Sequence, residues 1–199
     1  MATKKQQPVR VGLLGESPND TAALKVLLQQ KYAGRIQVFP LLKNLKADKV
    51  SGLKALRMLP SVYADTQPDI VVFTRDLDAL ASNTAQWQKR QKEFNDINNR
   101  VGQKGIFLLH IYEFEALIMA HITPFNALYK CACKPQADPT RIVDPKGKLQ
   151  EASRKGKRGV EYSENDCADV CTKLDYAELV KNCGYFRDFD AAFEARVPK

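Results

Sequence analysis

No apolar run in this sequence approaches the ~20 residues that span a bilayer. The longest, IFLLHIY at 106–112, has the length of a strand. The opening segment MATKKQQPVR is polar and has no hydrophobic stretch of the kind a signal peptide needs, so the cytoplasm is the expected compartment. Histidine is scarce: His110 sits inside an apolar run and His121 at a predicted helix end, and both read as structural. No Ser-His-Asp or Cys-His arrangement emerges. GLLGES at 12–17 lacks the Gly-Lys-Ser ending of a phosphate-binding loop, which argues against ATP hydrolysis by this chain alone. Five cysteines, at 131, 133, 167, 171 and 183, are an odd number. The single residue between Cys131 and Cys133 is shorter than structural zinc pairs use, so the cysteines read as ordinary reduced thiols.

What the sequence has is positive charge. Thirty-one Lys and Arg stand against 23 Asp and Glu, a formal net charge of +8. Such a surplus favours a polyanionic partner, because basic side chains that neutralise phosphates release condensed counterions. The densest basic stretch comprises Lys146, Lys148, Arg154, Lys155, Lys157 and Arg158. It reads either as a solvated loop or as a patch that tracks a nucleic-acid backbone.

Periodicity and punctuation predict alternating strands and helices up to about residue 122. Val9 to Leu14 is a short apolar strand. Ser17-Pro18-Asn19-Asp20 then reads as a helix start, with Ser17 as N-cap, Pro18 in the first helical position and Asp20 three residues after the cap. Further strands are expected at Ile36 to Leu42, Asp69 to Thr74 and Ile106 to Tyr112. The unbroken Ile-Val-Val-Phe of the third suits a central strand with both faces covered. Helices are expected near Lys49 to Ala64, interrupted at Pro60; near Thr84 to Val101, with Trp87, Phe94 and Ile97 facing the core; and over Glu113 to His121. This rhythm predicts an α/β fold, a Rossmann-like, mostly parallel sheet flanked by helices. Two parts are expected: residues 1–122 as the α/β domain, and 123–199 as a loop-rich, helical extension on the same core.

In such a sheet ligands gather at the carboxyl ends of the strands, and three of these ends carry acids. Glu16 follows the first strand, Asp76 and Asp78 the third, Glu113 and Glu115 the fourth. Converging carboxylates repel one another unless a cation neutralises them. Oxygen-only ligands of this kind suit Mg²⁺ or Mn²⁺, which can activate water and stabilise charge on a phosphate. Spacing by one residue on an extended strand would turn Asp76 and Asp78 to one side and Leu77 to the other.

These residues resemble a known family. GLLGESPND, with Glu just past a Gly at a strand end, and FTRDLDAL, with its Asp-x-Asp, are similar to the two acidic motifs of the TOPRIM domain of topoisomerases, primases and OLD-type nucleases. IYEFEALIMAH, PKGKL, GVEYS and LDYAELVKNCGYFRDF resemble, in order and spacing, a TOPRIM-like family of uncharacterised bacterial proteins often encoded beside ABC-type ATPases in defence loci. The likeness covers almost the whole chain, with Ala79 and Leu80 where a small Gly often follows the Asp-x-Asp. The resemblance implies a metal-dependent nuclease acting on DNA or RNA. Glu16 would be its general acid/base, Asp76 and Asp78 would hold Mg²⁺, and Glu113 or Glu115 would hold a second ion. Arg75 and Lys146 would be phosphate contacts. An ABC-type ATPase is the implied protein partner, and a homodimer is open.

Two other readings compete. The chain could be a non-catalytic regulatory subunit of an ATPase complex, supported by its long polar helix and modest size. Alternatively, VVFTRDLDAL could be the nucleophile motif of a haloacid-dehalogenase-like phosphatase, but Leu80 stands where that motif has Thr and two strands precede it.

Overall fold

The computed structural model describes the backbone of residues 7–15, 17–42 and 53–198. Four strands, β1 (Val9–Leu14), β2 (Ile36–Pro40), β3 (Ile70–Asp76) and β4 (Gly105–His110), form one sheet in the order β2-β1-β3-β4. All three pairings are parallel, with Leu14 opposite Phe73 and Asp76 opposite His110. Helices α1 (Pro18–Tyr32), α2 (Leu53–Thr66) and α3 (Thr84–Arg100) occupy the crossovers. The α/β class and the central place of the third strand are as the pattern predicts.

Strand alternation divides the core into two layers. Val11, Leu13, Ile70, Val72, Ile106 and Leu108 face α1 and the C-terminal helices. Leu14, Val71 and Phe73 face the other way, against Leu59 of α2 and Ile97 of α3. Both faces of β3 are thereby covered, which is why its apolar run is continuous rather than alternating.

Local chemistry starts α1 as expected. Asp20 N donates to Ser17 Oγ at 3.1 Å and Ser17 N donates to Asp20 Oδ2 at 3.2 Å, a reciprocal capping box. Two expectations are corrected. Helix α2 runs through Pro60 without a break, since Pro60 lies on its exposed side, where water can replace the lost hydrogen bond. Trp87 does not face the core: it is 44 % exposed, near the start of α3 and beside the sheet edge formed by β4, while Ile97 is buried. The first part of the second predicted helix, 49–52, lies outside the described residues.

Beyond residue 123 the chain adds to the same buried cluster. α4 (Glu115–Ala120) is buried at all six positions and α5 (Ile122–Tyr129) follows it. Then come α6 (Pro145–Arg154), α7 (Cys167–Cys171), α8 (Tyr176–Asn182) and α9 (Gly184–Glu194). Leu149, Tyr162, Val170, Phe186 and Phe193 pack in one cluster with Leu24 and Leu27 of α1. Asp190 of α9 clamps this layer: it accepts from Tyr32 Oη (2.7 Å), Tyr176 Oη (2.8 Å) and Lys31 Nζ (2.6 Å). All five cysteines are free, three of them buried. Among the described residues, no helix is long and apolar enough to cross a membrane.

Close packing constrains Gly15, just past β1. A Cβ there would lie 2.7 Å from Thr21 Cγ2 and 2.8 Å from Thr74 Cγ2, the latter on the neighbouring β3. Gly15→Ala should therefore destabilise by about 1–3 kcal/mol in urea denaturation. Thr74→Ser in the same chain, which removes the clashing methyl and keeps the hydroxyl, should restore part of that loss.

Candidate functional site

Sheet order fixes where a ligand crevice can form. From β1 the chain crosses to β2 on one side and later to β3 on the other, so the strand order reverses between β1 and β3. A crevice opens at the carboxyl ends of two such strands. Gly15 leaves β1 in contact with Thr74 of β3, two residues before Asp76. Glu16, the next residue, lies outside the described residues.

Asp76 is the last residue of β3 and is half-buried. The strand ends there, and the alternation that would have aligned Asp78 with it ends too. Asp78 has a left-handed backbone (φ 56°), and its N–H donates to the Tyr112 carbonyl at 2.9 Å. Its carboxylate is thereby turned onto the Arg90 guanidinium of α3. Arg90 is 3 % exposed and also meets Glu93 at 3.1 Å; Glu93 in turn lies 3.3 Å from Arg75 Nε. A file of alternating charges, Asp78, Arg90, Glu93 and Arg75, thus runs beneath the acidic edge. Arg75 is buried within it at 7 % exposure.

The turn after β4 carries the other acids. Glu113 is half-buried; its Oε2 accepts from the Lys146 backbone N–H at 3.2 Å, and its Oε1 lies 3.8 Å from Lys146 Nζ. Burial raises its pKa; Lys146 opposes the shift, and the charges of Asp144 and Asp78 add to it. Glu115, the first residue of α4, is 4 % exposed and accepts from Tyr162 Oη at 3.1 Å. Burial pushes its pKa up to about 7 against the pull of Lys146, with Glu113 and Asp20 adding to the rise. Lys146 is itself held protonated: burial disfavours its charge, but Glu164, at 2.6 Å, and the nearby Glu115 and Glu113 more than compensate.

Beneath this edge lies a neutral polar layer. His110 Nε2 is 2.7 Å from Thr74 Oγ1, and full burial lowers the imidazole pKa to about 3, so the ring is uncharged at neutral pH. Tyr185 of α9 packs edge-on to that ring, with centroids 5.8 Å apart. His110 Nδ1 and Tyr185 Oη are buried without a hydrogen-bond partner among the described residues. Burial raises the Tyr185 pKa, and the charges of Cys183, Asp76 and Glu115 raise it further, which puts this phenol within electrostatic reach of both acidic segments.

The remaining basic candidates lie elsewhere. Lys148, Arg154 and Lys155 line an open depression of about 640 Å³ with Asp144 and Glu151. Arg154 reaches Glu161 at 4.0 Å, and Arg158 donates to the Leu128 carbonyl at 3.2 Å. Lys157 is exposed. Only Lys146, at the start of α6, turns to the acidic edge.

Arg90, Glu93 and Glu164 take part in the site without having been singled out in sequence, and Tyr162 does so as the tyrosine of GVEYS. Of these, Glu164 had a local cue: it opens a second capping box, Ser163 with Asp166, that fixes its short 3₁₀ turn. Arg90 and Glu93 carry no cue at all beyond helical spacing from one another.

Among the described residues, no group of three or more His, Cys, Asp or Glu is arranged to hold a metal ion. The donor chemistry suits a hard divalent cation, but Asp78 and Glu113 are each engaged by a cation of the protein. Searches of protein-family models, curated proteins and solved structures find no match to this chain.

Glu115 gives the site a defined pH signature. Its carboxyl binds a proton more tightly in the folded than in the unfolded chain, where 4.5 is the ordinary value. Its contribution to stability therefore falls as pH rises from about 4.5 to about 7 and stays lost above that. Glu115→Gln keeps an oxygen for Tyr162 and removes the titration. With a chelator present, the variant should gain on the parent by about 1–3 kcal/mol between pH 4.5 and 8 in equilibrium unfolding. A difference constant across that range would show that Glu115 does not carry the shift.

Proposed function

We propose that this chain is a metal-dependent phosphodiesterase of the TOPRIM type that cleaves nucleic acid, DNA or RNA. The observation that carries the reading is the contact of Gly15 with Thr74. It brings Gly15, the residue before Glu16, against the strand that ends in Asp76, at the crevice where the sheet reverses its order. The net charge of +8 supports a polyanionic substrate. The family likeness extends the proposal to an ABC-type ATPase as protein partner.

In this reading Asp76 and Glu16 would hold a Mg²⁺ or Mn²⁺ ion, with Asp78 as a further ligand if it exchanged Arg90 for the ion. The bound ion supplies Lewis-acid stabilisation of the phosphate and lowers the pKa of water. The chain's own groups do the rest. Lys146 presents positive charge to the substrate's phosphates, and buried Arg90 adds its charge from beneath the edge. Glu115, with a pKa near neutrality, can hold or release a proton close to that edge. Buried neutral His110 takes no charge and keeps the floor of the site firm through Thr74.

A second reading has a specific observation in its favour. The pairing of Asp78 with Arg90 and of Glu113 with Lys146 neutralises these acids without an ion. That is what a non-catalytic regulatory subunit of an ATPase complex would show.

The two readings separate in one assay. Plasmid DNA and tRNA are incubated with the purified chain in Mn²⁺. Metal-dependent cleavage is expected, and Glu16→Gln and Asp76→Asn should each lower it by at least about a hundredfold while leaving the thermal unfolding transition in place. Equal cleavage by the parent and both variants, or none by the parent with its ATPase partner added, would remove the catalytic reading.

A further inference from the structure

Among the described residues, β4 pairs on one side only, with β3. Val71 N–H donates to the Lys104 carbonyl and Leu77 N–H to the His110 carbonyl, so the even-numbered residues of β4 turn their backbone groups to β3. In a parallel ladder the odd-numbered ones then face away. Local contacts finish both ends of this outer edge: Gly105 N–H donates to Asn98 Oδ1, and the Ile111 carbonyl accepts from Glu113 N–H. Between them, the N–H and C=O of Phe107 and Leu109 are left without a ladder partner.

Natural sheets guard such an edge with Lys, Pro or a bulge. The opposite edge strand, β2, ends in Pro40. β4, GIFLLH, has no charge, proline or bulge. Its outer edge instead opens on a groove of about 400 Å³, with Trp87 on one side and Tyr185 and Ala192 on the other. Trp87 is a large apolar side chain left 44 % exposed beside that groove.

The wall formed by α9 suggests the occupant. Asp188, Ala192 and Arg196, four residues apart, line the groove as an exposed row, Arg196 just past the helix end. Neither Asp188 nor Arg196 has an ion-pair partner among the described residues. An acid and a base at equal distances from a small central residue make a self-complementary row. An isologous contact requires this of a surface, because residue i meets j while j meets i.

We propose that the β4 edge pairs antiparallel with the β4 edge of a second copy, about a twofold axis normal to the sheet at Leu108. Phe107 of each copy then exchanges hydrogen bonds with Leu109 of the other, and the two sheets join into one. The two α9 helices lie side by side on the same face. Ala192 allows their close approach, each Asp188 meets an Arg196, and each Trp87 is covered on the opposite face. The dimer holds whether or not the chain is a nuclease.

Sedimentation velocity across protein concentration tests this, with circular-dichroism melting to confirm that each variant is folded. The parent should sediment at twice the 22.4 kDa of the chain. Ala192→Arg, which puts bulk and charge on the axis, should give a monomer. Asp188→Arg should weaken the dimer about tenfold by setting like charges opposite each other, and adding Arg196→Asp should restore it. A parent that remains monomeric at about 100 μM, or a dimer indifferent to Ala192→Arg, would overturn the proposal.

Discussion

Two basic side chains hold the acid-rich end of the sheet together: Arg90 against Asp78, and Lys146 against Glu113 and Glu164. Without them, Asp78, Glu113 and Glu115 would stand within reach of one another's charge at the carboxyl end of a parallel sheet. Half-burial makes that arrangement costly, since a carboxylate out of water and near its like is pushed towards protonation. Even so, burial raises the Glu115 pKa, and Glu113 adds to the rise. The cations do not remove the cost of burying charge. They make it tolerable, and a divalent ion could take over the same role.

The C-terminal extension is therefore part of the site as well as part of the core. Lys146 and Tyr162, which engage Glu113 and Glu115, come from residues beyond 123, and so does Tyr185, within electrostatic reach of Asp76. The Asp190 clamp on Tyr32, Tyr176 and Lys31 ties that extension to α1, the helix that leaves the first strand end. Truncating the extension would strip the acids of their partners and expose the apolar face of α1. Site and scaffold are joined by the same hydrogen bonds.

Much of the scaffold is legible in the residues because its causes are local. The Ser17-Pro18-Asn19-Asp20 start of α1 is set by capping chemistry within one helical turn. The central place of β3 follows from an apolar run with no polar side to show to water. What is not legible depends on partners far along the chain. The turning of Asp78 away from Asp76 requires a left-handed residue after the strand, and its reason is an arginine twelve positions on. Trp87 fits the apolar stripe of an amphipathic helix. Its exposure follows from the sheet ending at β4, which no helical pattern can announce. The separation of Lys146 from Lys148, Arg154 and Lys155 is likewise a matter of how α6 lies on the core rather than of the charge run itself.

The proposed function requires that the oxygen atoms at the β1–β3 edge seat a hard cation, in place of or beside the protein's own. Calorimetric titration of the metal-free chain with Mn²⁺ measures this directly. Saturable binding of at least one ion, weakened by Asp76→Asn and strengthened when Arg90→Gln frees Asp78, is the predicted result. Heats no larger than dilution for the parent and for the Arg90 variant would contradict the account and leave the edge as an internally paired surface.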